Sequence, residues 1–262
     1  MIGVAAAATL FEGVFVAVIL ILTLGGLYEF FTMVKKKDIP IYSYFGIFIG
    51  MLIPISIYTR FELTKNWELL FIVLAFLSIL LLQFARRDNR NAIVGISTTM
   101  FGVFYVSWLL SFLIKIRFLI PGVEGVKLLA FILLVTKCGD IGALLIGTRI
   151  GRHPLFPRIS PKKSVEGAMG SFVFSMGAAI ACKNFLPASL NLPSWQVVFM
   201  GAFFGGIGQL GDLSESLIKR DCLAKDSGRI LPGMGGILDV IDSLLFSGPA
   251  FYLYISAVLK TI

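Results

Sequence analysis

The chain has 262 residues, 57% of them hydrophobic and 15% charged, with a mean hydropathy of +0.91. Those values lie outside the range of soluble globular domains and exclude a water-soluble enzyme. The formal net charge of +8 and a pI near 9.5 would invite a nucleic-acid reading in a soluble protein, but here the basic residues collect in short loops between apolar stretches, which excludes nucleic acid as a partner.

A helix needs about 20 apolar residues to cross the hydrocarbon core. On that measure about eight spans are predicted in chain order, at 12–34, 41–59, 68–85, 91–114, 127–148, 168–186, 195–217 and 237–259. The expected fold is an all-α polytopic integral membrane protein with about eight transmembrane helices and a polar active site open to the cytoplasm. The first span lacks the basic leader of a signal peptide; Glu12 precedes it and Lys35, Lys36 and Lys37 follow, so it reads as an anchor with its N-terminus outside. Alternating loops then place Arg86, Arg87, Arg90, Arg149, Arg152, Arg158, Lys162, Lys163, Lys219, Arg220, Lys225 and Arg229 on the cytoplasmic side with Lys35 to Lys37. The compact length fits a bacterial plasma membrane. The polar loops 149–167 and 218–236 are too short to fold alone, so the chain reads as a single membrane domain, with 1–114 an N-terminal helical scaffold and 115–262 the catalytic region. Acidic residues gather after position 139: Asp140, Glu166, Asp212, Glu215, Asp221, Asp226, Asp239 and Asp242.

Ionisable groups within or beside a bilayer are expensive and mark function. Asp140 follows the apolar run LLAFILLVTKCG, with Lys137 one turn earlier; an internal ion pair and the polar lining of a headgroup cavity both account for it. Further on, Gly206 to Gly211 satisfies GxGxxG, but inside an apolar helix with no preceding strand, which argues against a dinucleotide site. Gly201 and Gly205 form a GxxxG that lets helices approach closely and leaves a homodimer open. If the helix from Val197 continues through Arg220, then Asp212, Glu215, Ser216 and Lys219 share one face. A Glu215 to Lys219 ion pair at a solvated helix end accounts for Glu215 equally well. The loop Lys225 to Gly236 carries four glycines and a proline, and Asp239 and Asp242 follow it one turn apart; two carboxylates on one face gain little from each other without a cation between them. Basic residues, a glycine-rich loop and paired carboxylates together indicate a nucleotide and Mg²⁺ site with oxygen ligands. Zinc does not fit, since His153 is the single histidine and Cys138, Cys182 and Cys222 are dispersed and expected as free thiols.

The run from Ser216 through Lys219-Arg220, Lys225-Asp226, Gly228, Leu231-Pro232-Gly233, Gly235-Gly236, Leu238-Asp239 and Ile241-Asp242 resembles the signature of the phosphatidate cytidylyltransferases (CDP-diacylglycerol synthases). A second block, Asp140-Ile141-Gly142-Ala143 with Gly147 and Gly151, then Ser160-Pro161-Lys162-Lys163-Ser164 and Gly167, is similar to upstream segments of that family. The resemblance covers roughly 90–262 and implies transfer of the cytidylyl group of CTP to phosphatidic acid, with Mg²⁺ as cofactor. It implies Asp212, Asp239 and Asp242 as metal ligands. Lys219 and Arg220 would lie against phosphates with Lys225 and Asp226 beside them, and Ser160, Lys162, Lys163 and Ser164 would hold nucleotide or lipid headgroup. Ser216, Gly235, Gly236 and Asp140 would complete the substrate site. Two positions depart from the family pattern: Met234 stands in place of histidine in PGHGG, and Val240 in place of arginine in LDRID. A CTP-dependent lipid-alcohol kinase and a transporter for an anionic substrate are the alternatives.

Overall fold

The structure is a computed structural model that describes residues 2–60, 67–87, 89–228 and 235–261. The chain runs α1 (Ile2–Lys35), α2 (Ser43–Thr59), α3 (Trp67–Phe84), α4 (Ala92–Gly102), a π-helical stretch (Val103–Trp108), α5 (Leu109–Leu119) and α6 (Val123–Ile150). A short hairpin of β1 (Pro154–Phe156) and β2 (Ser160–Ser164) follows, then α7 (Val165–Ala181), α8 (Ser194–Asp221) and α9 (Ile237–Thr261). Among the described residues, five stretches are long and apolar enough to cross a membrane: Glu12–Lys35, Ala92–Leu119, Val123–Ile150, Ser194–Asp221 and Ile237–Leu259. The apolar parts of the other three helices, Ser43–Thr59, Leu70–Phe84 and Val165–Ala181, are shorter, at 10–17 residues. They are helical where spans were expected but fall below the ~20 residues of a full crossing. Met234 and most of the glycine-rich loop, 229–234, with Arg229 of the cytoplasmic-side set, lie outside the described residues.

The chain divides into two compact units, one of Met1–Ile114 with Ser227–Leu238, the other of Lys115–Asp226 with Asp239–Ile262.

In the first unit α1 buries Leu27, Phe30, Phe31 and Met33 completely. Small residues opposite make room for them: a Cβ on Gly46 would stand 2.5 Å from the Phe31 ring, and one on Gly102 2.5 Å from the Phe30 ring. Pro54 lies inside α2 and has no N–H for the Gly50 carbonyl four residues earlier. The Ser107 hydroxyl, from the π-helical stretch, donates to that carbonyl instead. Ser107→Ala is therefore expected to cost about 1 kcal/mol, read as a lower melting temperature in detergent with the helix content unchanged.

A second buried polar contact ties α1 to the far end of the sequence. Glu29 is 2% exposed. Its Oε1 accepts from Ile237 N at 3.0 Å, and its Oε2 accepts from Leu238 N at 2.9 Å and from the Ser227 hydroxyl at 3.1 Å. The first N–H groups of α9, which have no partner within their own helix, thus end on a carboxylate.

In the second unit α6, α7 and α8 pack through glycine. A Cβ on Gly142 would lie 2.7 Å from Gly170 O, and one on Gly201 2.7 Å from Met176 Cα. The Gly201 and Gly205 pair thus packs against α7 of the same chain, where Gly205 faces Ser175. Phe204 and Phe251 stack edge to face at 5.3 Å, and Phe251 lies over Phe131 at 5.8 Å. The segment expected as an irregular loop forms the antiparallel hairpin, with Pro154 opposite Ser164 and Phe156 opposite Ser160. Ser164 caps α7, its hydroxyl accepting from Gly167 N at 3.1 Å.

Candidate active site

The site is built in the second unit, where α8 and α9 touch backbone to backbone. Gly211 makes that contact: a Cβ there would stand 2.4 Å from Asp242 O. The approach sets Asp212 and Glu215, one turn apart on α8, beside Asp242 on α9. Ligand oxygens of Asp212, Glu215 and Asp242 all lie within 4.8 Å of one another. Gly211→Ala is expected to push the helices apart and cost about 1–3 kcal/mol through overpacking. The check is a melting curve together with divalent-cation affinity, both of which should fall.

Glu215 is fully buried. Its Oε2 accepts from Lys219 Nζ at 2.8 Å, and its Oε1 is buried with no hydrogen-bond partner among the described residues. Lys219 Nζ also donates to Asp239 Oδ1 at 2.5 Å. Glu215 therefore makes the ion pair, but buried rather than at a solvated helix end, and also takes a place in the carboxylate group. Asp239, expected as a metal ligand, stands on Lys219 rather than in that group. The signal for Glu215 was present in the i, i+3 spacing from Asp212, but the i, i+4 lysine offered a sufficient account of it.

The hairpin brings the basic side of the site. Successive side chains of a strand point to opposite faces; Lys163 turns inward to Asp212 Oδ2 at 2.7 Å, and Lys162 is exposed. Ser160, Lys162, Lys163 and Ser164 line a cavity of about 290 Å³ together with Asp140 and Asp212. Asp140 Oδ2 accepts from Lys137 Nζ at 2.9 Å and from the Ser243 hydroxyl at 2.8 Å. Both accounts of Asp140 hold at once: it is paired, and it lines the cavity. Lys137 Nζ also donates to Val240 O at 2.9 Å.

The remaining expected residues lie around this centre. Arg220 Nε donates to Ile159 O at 3.2 Å and ties α8 to the hairpin loop. Ser216 is buried on α8, while Lys225 and Asp226 are exposed in the turn that follows it. Gly235 and Gly236 belong to the first unit; Gly235 has φ +90°, and a Cβ on Gly236 would lie 2.4 Å from Glu29 Oε2. Among the described residues Cys138, Cys182 and Cys222 form no disulfide, and Cys222 is buried.

Glu166 holds the base of the hairpin. Its Oε1 lies 2.6 Å from His153 Nδ1, and its Oε2 accepts from Arg152 N at 3.0 Å and His153 N at 3.2 Å. The His153 contact, with the backbone N–H of Arg152, holds this carboxyl down to about 2. A depressed carboxyl stabilises the fold above its ordinary range near 4.5 and loses that contribution as pH falls towards 2. The hairpin is expected to keep its protease resistance down to pH 5 and lose it between about 4.5 and 2; His153→Ala should move that loss to higher pH.

The donor set fits a hard divalent cation. All three ligands are carboxylate oxygens, as Mg²⁺ prefers, and a buried carboxylate oxygen without a partner is costly unless something positive meets it. Asp212, Glu215, Asp239 and Asp242 carry four formal negative charges against the two positive charges of Lys163 and Lys219 that contact them. One divalent cation would balance that excess.

Fold and site together define a polytopic membrane protein with a carboxylate and lysine cluster where two helices meet beside a basic hairpin. The chain belongs to the Cytidylyltransferase family, whose profile matches residues 1–258. It is 34% identical over 240 residues to the phosphatidate cytidylyltransferase of Bacillus subtilis (strain 168), covering 89% of this chain and 86% of that one. Over 126 residues it is 40% identical to the phosphatidate cytidylyltransferase of Staphylococcus epidermidis (strain ATCC 12228 / FDA PCI 1200), 48% of each chain. Over 160 residues it is 37% identical to the protein YnbB of Escherichia coli (strain K12), 60% of this chain and 50% of that one. In the last two matches the chain spans about half the length of its relative.

Proposed function

We propose that the protein transfers the cytidylyl group of CTP to phosphatidic acid, giving CDP-diacylglycerol and pyrophosphate. The observation that carries this reading is the buried, unpartnered Oε1 of Glu215 among the oxygens of Asp212 and Asp242, in a chain of the Cytidylyltransferase family. An oxygen of the lipid phosphate attacks the α-phosphorus of CTP and forms the new P–O bond. The bond from that phosphorus to the α–β bridging oxygen breaks, and pyrophosphate leaves with the oxygen. The lipid phosphate is already ionised near neutral pH, so positioning and charge neutralisation carry the catalysis and no general base is required. That suits a centre of Asp, Glu and Lys.

Asp212, Glu215 and Asp242 would hold Mg²⁺, which when bound would neutralise phosphate charge as a Lewis acid. Lys162 and Lys163, with Ser160 and Ser164, bind phosphate oxygens from the cavity wall. Asp239, through its contact with Lys219 Nζ, fixes an ammonium at the same centre. The Lys and Arg distribution supports a cytoplasmic opening, where CTP is found, and a bacterial plasma membrane as the setting.

The test incubates the purified protein in detergent with phosphatidic acid, radiolabelled CTP and Mg²⁺. Label is expected in CDP-diacylglycerol with release of pyrophosphate. Release of CDP with phosphorylation of a lipid alcohol would replace this reading by a kinase, and absence of CTP binding in folded protein would remove the nucleotide altogether.

A further inference from the structure

Glu29 stands on α1, in the part of the chain whose sequence reads as scaffold, and among the described residues its side-chain hydrogen bonds run to the other end of the chain. Both oxygens of its buried carboxylate accept from the start of α9, at Ile237 N and Leu238 N, and Oε2 also takes the Ser227 hydroxyl. The two ends of the stretch 228–236 therefore meet at one carboxylate. The fit around it is tight: a Cβ on Gly228 would stand 2.1 Å from Glu29 Oε1, and one on Gly236 2.4 Å from Oε2. A carboxylate at a helix N-terminus is stabilised by the N–H groups and the helix dipole, which explains how a charge is tolerated at this depth.

We propose that Glu29 is a positioning residue for the site, acting through the first turn of α9. Asp239 follows Leu238 directly, and Asp242 lies one turn further along the same helix. A helix whose first turn is pinned cannot fray, rotate or slide by a residue without breaking the two hydrogen bonds that Ile237 N and Leu238 N make to that carboxylate. The Cα–Cβ directions of Asp239 and Asp242 are set with it. Ser227 and both backbone groups are donors, so the anchor must offer two acceptor oxygens. Glutamine places an NH₂ group against one of those donors and is not a conservative replacement here. Aspartate keeps both acceptors but is one methylene shorter. The proposal rests on the reading that the carboxylates of α8 and α9 serve a divalent cation; it does not rest on which acceptor receives the cytidylyl group.

The experiment compares the full-length wild type with Glu29→Gln, Glu29→Asp and Ser227→Ala in detergent. Mn²⁺ is titrated into each and free Mn²⁺ is read by electron paramagnetic resonance, with hydrogen exchange of the 235–242 segment and a melting curve measured on the same samples. Glu29→Gln is expected to weaken Mn²⁺ binding by about 10–100-fold, the range for groups that orient metal ligands, with faster exchange confined to 235–242. Glu29→Asp and Ser227→Ala should lose less, and keep the question open to measurement if Glu29→Gln does not fold. Unchanged Mn²⁺ affinity in folded Glu29→Gln or Glu29→Asp overturns the proposal, as does a loss that only follows the unfolded fraction. Wild-type protein that binds no Mn²⁺ overturns it as well. Mn²⁺ affinity that responds to Glu29 in a protein making no CDP-diacylglycerol upholds the positioning role and removes only the reaction.

Discussion

Replacing Asp212 by Asn is expected to lower cytidylyl transfer by about 10³-fold, the scale on which a preorganised electrostatic contact acts in a transition state. Asp212 is the one carboxylate that belongs to both halves of the site. It shares the group with Glu215 and Asp242, and it pairs with Lys163 of the hairpin at 2.7 Å. The substitution keeps shape and volume but halves the acceptor capacity and removes the charge that draws Lys163 inward. The Asp212 side chain is 38% exposed, so the fold should tolerate the change. The measurement is turnover per folded molecule with the melting temperature as control; full activity in the variant would remove Asp212 from the centre.

Lys219→Met is expected to act on stability as well. The Lys219 ammonium, 12% exposed, serves Glu215 at 0% and Asp239 at 15%. Its removal leaves two carboxylates facing each other with no cation between them, and an uncompensated buried charge costs about 3–5 kcal/mol. The melting temperature in detergent should fall accordingly, and transfer activity with it. The double variant Lys219→Met with Asp239→Asn should be less destabilised than the two single effects together, because the second change removes a charge that the first leaves stranded. Additive losses would show that the pair is not coupled.

Much of this architecture can be read from hydropathy alone. Each of the stretches 12–34 through 237–259 proposed as a span lies on a helix, because an apolar run of that length has no other way to satisfy its backbone in a bilayer. Length was less legible: α2, the apolar part of α3 and α7 stop short of a full crossing, and helix ends depend on tertiary neighbours. The hairpin was illegible because SPKKS has neither apolar alternation nor a strong turn dipeptide; its pairing is supported by Glu166 and by Ser164 rather than by strand propensity. Within the site, spacing alone grouped Asp212 with Glu215. That Glu215 rather than Asp239 stands beside Asp212 and Asp242 depends on how α9 is rotated against α8, which no local pattern encodes. Glu29 was overlooked for a related reason. Two of its donors are backbone N–H groups about 200 residues away, and backbone groups leave no mark in a sequence; the sign that remains is an acid within an otherwise apolar stretch of α1.

The glycine packing of α6, α7 and α8 has a consequence for how this part of the chain can change over time. At Gly142, Gly170, Gly201 and Gly211 even a methyl group would meet backbone atoms within 3 Å, so no single substitution there is absorbed by a side chain turning aside. Exposed positions such as Phe199 and Leu210 face no such limit. Substitutions are therefore expected to be tolerated more readily on the exposed apolar surface than at these glycines. The chain can adapt to membranes of different thickness or composition while the spacing between its helices is inherited unchanged.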